Sequence, residues 1–237
     1  MDLLAIADEL VKNLRTLRFS SPVAYVYNPL DYARSGYQEY VTRFGAGRRE
    51  VILLGMNPGP FGMVQTGVPF GEVTLVRDWL GIEAAIGRPP REHPKRPIEG
   101  FACRRSEVSG ARLWGWARDT FGTPRRFFKT FFVANYCPLA FLESTGRNRT
   151  PDKLSATAQT ELFAACDEAL RCTAENLRPK LVIGVGAFAE HRAAVALDGM
   201  NVSVGRVLHP SPASPKANRG WARQCSIGLR DLGIELP

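Results

Sequence analysis

Four short apolar runs, at 51–54, 129–134, 181–183 and 202–208, constrain this chain more than anything else in it. Val51-Ile52-Leu53-Leu54 and Leu181-Val182-Ile183 lack the apolar–polar alternation of a half-exposed strand, and so read as strands covered on both faces. Helical apolar spacing occupies 3–18, 72–86, 152–177, 187–197 and 217–232. Strands separated by helices require right-handed crossovers and a parallel sheet between helical layers. The expected fold is therefore α/β, a three-layer α/β/α arrangement around a central four-stranded parallel sheet. With no linker or composition break, residues 1–237 are expected to form one domain.

Each run ends in residues that carry chemistry. The segment 55–71, GMNPGPFGMVQTGVPFG, holds five glycines and three prolines directly after the first run. Gly lets a ligand approach the backbone closely and Pro stiffens the loop, so its N–H groups can face a bound group. Ligands in open α/β sheets sit at the carboxyl ends of strands, where this loop begins. No Lys-Ser/Thr follows the glycines, so it is not a phosphate loop of the nucleotide-hydrolase type. Asn135 ends the second run, and its amide offers one donor face and one acceptor face to a planar ligand. His209-Pro210-Ser211-Pro212 follows the fourth run, with Ser211, Ser214, Lys216, Asn218 and Arg219 as candidate phosphate donors. Gly184-Val185-Gly186-Ala187-Phe188-Ala189 superficially fits a dinucleotide fingerprint. No acid ends the next strand, so a tight strand-to-helix turn, with its helix start toward a phosphate, is the expectation. His93 and His191 read as non-catalytic.

Composition narrows the function classes. Hydrophobic and charged fractions of 45% and 23% belong to an ordinary globular chain. No run approaches the roughly 18 consecutive apolar residues of a membrane span, and Met1-Asp2-Leu3-Leu4 reads as the start of a helix rather than a signal peptide. Five scattered cysteines without a C-x-x-C pair point to reduced, mostly buried thiols, not to a zinc or iron–sulfur site. The net charge of +8 suggests a polyanionic partner. Half of that excess lies in 88–105, where six basic residues face only Glu92 and Glu99 in a long irregular stretch.

Together 55–73, SEVSGARLWGW at 106–116, NYCPL at 135–139 and HPSP at 209–212 closely resemble the single-strand-selective monofunctional uracil-DNA glycosylases of the uracil-DNA glycosylase superfamily. The resemblance implies hydrolysis of the bond between uracil and deoxyribose in single- and double-stranded DNA, leaving an abasic site for base-excision repair. It implies that Asn57 positions the attacking water and that His209, as a neutral donor, stabilises charge on uracil O2. Asn135 would read the N3/O4 edge, Phe70 would stack on the flipped base, and the Met56 N–H would be a second O2 donor. Gly59 and Met63 would shape the pocket near C5, which in the family tolerates oxidised substituents such as 5-hydroxymethyl. Pro210, Ser211, Pro212, Ala213 and Ser214 would form the loop that wedges into the duplex. Family members carry a basic residue where this chain has Ala213. No metal, cofactor, membrane or obligate protein partner is expected, and the location is intracellular: cytoplasmic in a prokaryote, nuclear in a eukaryote. The alternatives are a relative acting on hypoxanthine or xanthine, and a non-catalytic binder of single-stranded or damaged DNA.

Overall fold

Val51–Gly55 is buried at all five positions, and so is Leu181–Val185. In the computed structural model, which describes residues 1–237, these two strands lie side by side at the centre of a parallel sheet. The elements of the first half are α1 (Leu3–Leu14), β1 (Val23–Tyr27), α2 (Pro29–Tyr32), α3 (Arg34–Phe44), β2 (Val51–Gly55), α4 (Met63–Thr66) and α5 (Val73–Asp78). Next come α6 (Val108–Phe121), α7 (Pro124–Phe127), β3 (Phe131–Asn135), β4 (Ala140–Glu143) and β5 (Asn148–Arg149). The chain closes with α8 (Ala156–Leu177), β6 (Leu181–Val185), α9 (Ala187–Ala196), β7 (Ser203–Val207) and α10 (Trp221–Asp231).

The parallel sheet has the order β3-β2-β6-β7, in register from Val51 against Phe131 and Leu181. α1, α8 and α9 pack together on one side, while α6 and α10 pack together on the other. This is the expected three-layer α/β/α arrangement with four parallel strands. One core of 53 buried residues runs from Leu3 to Leu229 through both helical layers.

Three details differ from the sequence expectation. The helix expected over 72–86 stops at Asp78, and Gly81 follows with φ +69°. Leu80 and Ile82 are buried, so the apolar spacing there serves docking of an irregular stretch rather than a helical face. The closing helix is divided at Gly220, φ +102°, into a 3-10 turn at Ala217–Arg219 and α10. A second sheet, antiparallel with order β1-β4-β5, was not expected at all. It pairs Tyr27 with Ala140, 113 positions along the chain by their numbers, and so holds the segment after Asn135 beside the parallel sheet.

Candidate active site

The residues leaving the sheet's carboxyl edge are, in strand order, Asn135, Met56-Asn57, Gly186 and His209. The Tyr136 and Cys137 N–H groups donate to the Gly55 and Met56 carbonyls, both at 2.9 Å, so the first two loops leave the sheet joined. The Met56 N–H makes no hydrogen bond within the chain. Asn57 Nδ2 donates to the Leu139 carbonyl at 3.0 Å and more weakly to Pro58 at 3.4 Å. Its Oδ1 is thereby left as an acceptor. Leu139 immediately precedes β4, so the unexpected second sheet sets the direction of this amide.

Asn135 Nδ2 donates to Met63 Sδ at 3.3 Å. A Cβ on Gly55 would fall 2.4 Å from Asn135 Oδ1 and 2.6 Å from the Phe70 ring. Only glycine at the end of β2 lets these two side chains meet above it. Phe70 itself sits at φ +53°, a conformation that costs a non-glycine residue about 1 kcal/mol or more. The surroundings hold it there. Its carbonyl accepts from the Glu72 N–H at 2.7 Å, and the neighbouring Pro69 carbonyl accepts from Trp114 Nε1 at 3.1 Å. Gly110 at the start of α6 presses on the Phe70 carbonyl, leaving no space for a Cβ. Gly59 and Gly62 face the half-buried Glu107, whose Oε2 caps α6 by accepting from the Gly110 N–H at 3.0 Å. Burial raises the Glu107 carboxyl above its ordinary range, with nearby Glu72 adding a smaller push.

His209 Nδ1 accepts a hydrogen bond from the Ser211 N–H at 3.0 Å. That nitrogen therefore holds a lone pair, and in the neutral ring the proton is on Nε2. Burial also lowers the imidazole pKa, which favours the neutral form. Gly186, φ +101°, opens the turn from β6 into α9, and a Cβ there would be 3.1 Å from that of His209. The glycine pair at 184–186 thus backs the histidine and lets α9 lie against β6, where a Gly184 Cβ would strike the Glu190 backbone nitrogen at 2.1 Å. His93 is buried with Nε2 on the Ser144 carbonyl at 2.9 Å, and His191 is exposed on α9.

The loop after His209 is tied to α6 by Arg112, which donates to the carbonyls of Pro210 at 3.0 Å and Ser211 at 3.3 Å and to Asn218 Oδ1 at 2.8 Å. Asn218 Nδ2 in turn donates to Pro212 at 2.9 Å. One end of that amide is therefore held by α6 and the other within the loop, which makes Asn218, expected as a phosphate donor, a brace. Ser211 Oγ accepts from Ala213 N–H at 3.1 Å and Ser214 Oγ from Ala217 N–H at 3.3 Å, so each hydroxyl keeps its proton to donate. Pro212, Ala213, Lys216 and Arg219 are exposed.

The chain matches the family model described as the uracil DNA glycosylase superfamily over residues 42–225. The chain belongs to the uracil-DNA glycosylase superfamily. It is 52% identical over 223 residues to the single-strand selective monofunctional uracil-DNA glycosylase of Rattus norvegicus, covering 93% of this chain and 80% of that protein. The protein of the same name from Bos taurus is 51% identical, over 93% of this chain and 82% of its own. Among solved structures, wild-type Pedobacter heparinus SMUG2 aligns over 96% of this chain and 97% of its own with a TM-score of 0.65. Its identity is 17%, so it speaks for the fold.

The uracil-DNA glycosylase match encloses Asn57, Phe70, Asn135 and His209, which the fold brings to one edge of one sheet. Sequence reasoning missed the residues that orient them: Leu139, Arg112, Trp114 and Glu107. The signals available were NYCPL and SEVSGARLWGW, which carry the resemblance without revealing what they touch. A narrow cavity of about 60 Å³ lies behind Asn135 and Met63, lined by apolar residues of α1, α8 and β3. It borders Asn135 and Met63 and reaches neither Asn57 nor His209.

Proposed function

We propose that residues 1–237 form one catalytic domain that removes uracil from single- and double-stranded DNA by hydrolysis, leaving an abasic site. The observation that carries the mechanism is the His209–Ser211 hydrogen bond, which makes Nε2 a neutral N–H donor two strands away from Asn57. Breaking the C1′–N1 bond sends its electron pair into the base, and the charge settles on O2. His209 Nε2 and the Met56 N–H are the donors for that oxygen, fixed in place before reaction, in the manner of an oxyanion hole. Asn57 lacks a basic group, so it orients water through Oδ1 rather than deprotonating it. The water oxygen joins C1′, and its released proton balances the departing uracil anion. Asn135 reads uracil because Oδ1 accepts from N3–H while Nδ2 donates to O4; cytosine offers the reverse. Phe70 stacks on the extruded base, and extrusion costs a few kcal/mol, least in single strands.

Gly59 puts no side chain on the wall near C5, which supports extending the substrate class to 5-hydroxymethyluracil. Ser211, Ser214, Lys216 and Arg219 supply phosphate contacts, and the exposed Pro212 and Ala213 form the wedge; Pro210, expected in it, is buried with its carbonyl held by Arg112 and serves as its base. The enzyme would act inside the cell, in the compartment that holds DNA.

The test incubates the protein with oligonucleotides carrying one uracil, 5-hydroxymethyluracil, hypoxanthine or xanthine, followed by alkali. Uracil release with strand breakage only after alkali is expected. No breakage on any substrate would overturn the enzymatic reading, and release confined to the purines would overturn the substrate. Asn57→Ala and His209→Ala should each lower turnover by about 10²–10³, with DNA affinity little changed.

A further inference from the structure

The basic stretch ahead of α6 is irregular in backbone but firmly docked. Gln65, inside the 55–71 loop, donates through Nε2 to the Pro97 carbonyl at 3.0 Å and accepts through Oε1 from the Glu99 and Gly100 N–H groups at 2.9 and 3.1 Å. His93 is buried beneath, its N–H donating to Tyr27 Oη at 2.6 Å, and that hydroxyl donates to the Arg96 carbonyl at 2.8 Å. Arg88 pairs loosely with Glu92 at 3.6 Å. Arg91, Arg96 and Arg105 have no carboxylate partner. Each instead lies over an aromatic ring: Arg91 at 4.5 Å from Tyr25, Arg96 at 5.4 Å and Arg105 at 4.2 Å from Phe61. The Arg96 Nε is buried without a hydrogen bond. The Tyr25 ring also meets the buried His93 ring at 4.8 Å, and the His93 carbonyl accepts from the Arg96 N–H at 2.8 Å, so the Arg91–Tyr25 pair and the Arg96–Phe61–Arg105 cluster are joined through His93. Phe61 lies four positions beyond Asn57 on the same 55–71 loop, so the Arg96 and Arg105 end of this track sits on the loop that carries Asn57.

Unpaired, ring-held cations suit a flexible polyanion with exposed planar groups. A guanidinium resting on a ring can stack a base and still donate to a phosphate. Duplex DNA keeps its bases paired and offers only phosphates, whereas a single strand offers both. We infer that the Arg91–Tyr25 and Arg96–Phe61–Arg105 track binds the single-stranded DNA flanking the target nucleotide. This rests on the glycosylase reading for what occupies the neighbouring site.

The test compares the Arg91→Ala/Arg105→Ala double variant with a charge-matched Arg125→Ala/Arg126→Ala control. Those control cations are exposed on α7, which leads into the amino end of β3, away from the carboxyl edge. Fluorescence anisotropy measures binding of a uracil-free single strand and of the matching blunt duplex over a salt series. For the track variant, the slope of log K against log salt on the single strand should shrink by about 1.4, from about 0.7 per phosphate contact. Loss on the duplex should be smaller. On a single-stranded uracil substrate, KM should rise with kcat within about twofold, since no group touching the reacting bond is altered. A wild-type slope in the variant, an equal loss in the control, or equal losses on duplex and single strand would each overturn the inference. If the wild-type protein releases no uracil, the glycosylase reading fails while the anisotropy comparison still decides this one.

Discussion

Protonating His209 on Nδ1 and keeping its hydrogen bond from Ser211 are mutually exclusive, and pH dependence follows from that. Burial places the folded pKa below the ordinary 6.5. The stabilisation from the neutral ring is therefore complete above that value and is lost as pH falls through the lower folded pKa. Uracil release should be flat through neutral pH with an acid limb below 6.5. A limb centred above that value in the pH–rate profile would contradict the assignment. Gly55 makes the other residue-scale argument, because a methyl there would be 2.4 Å from Asn135 Oδ1. Gly55→Ala should cut turnover about 10²-fold, as expected for ångström-scale misplacement of binding groups, measured beside the melting temperature of the same variant. That Asn57, Asn135 and His209 lie at the sheet's carboxyl edge was legible in the sequence, because each stands at or within two residues of the end of an apolar strand. The long-range contacts of Leu139, Gly186 and Arg112 were not, because each reaches a partner 82, 23 or 98 positions away by residue number.

At the scale of elements, α6 is among the parts the sequence left undeclared, although its start organises the site. Glu107 caps it, Gly110 abuts Phe70, Arg112 braces the 209–219 loop and Trp114 holds Pro69. The Glu107 carboxyl is raised by burial first and by Glu72 after it, so its ionised form opposes folding. Stability relative to a neutral side chain should fall as pH rises through that raised pKa. Glu107→Gln keeps an acceptor for the Gly110 N–H and should match or exceed the wild type in thermal unfolding, more so at neutral than at acid pH. Glu107→Ala should lose about 1 kcal/mol, the worth of a side-chain cap. The 72–86 pattern misled for a related reason. Helical spacing of apolar residues also arises when an irregular stretch buries them one at a time, and Gly81 at φ +69° ends the helix.

At the scale of the whole molecule, the layer of α8 and α9 is locked to the sheet beside Asn135. Tyr136 Oη donates to Asp167 Oδ1 at 2.7 Å, Arg192 Nε donates to the same hydroxyl at 3.1 Å, and Arg192 pairs with Asp167. Burial, then Asp167, push the Tyr136 phenol upward, so it stays a donor. Asp167→Ala leaves the largely buried Arg192 without its anion and should cost about 3 kcal/mol, read as a lower denaturant midpoint, while Asp167→Asn should recover part of it. The alternation of apolar runs and helical patterns determined the parallel sheet, since strands buried on both faces are written as local, continuous apolar segments. It also determined which loops leave the active edge, because strand ends are local too. Only the tertiary structure decided the second sheet, the direction of the Asn57 amide and the docking of the basic stretch. Those depend on hydrogen bonds between residues far apart in the chain, and no local pattern encodes which distant carbonyl a side chain will find.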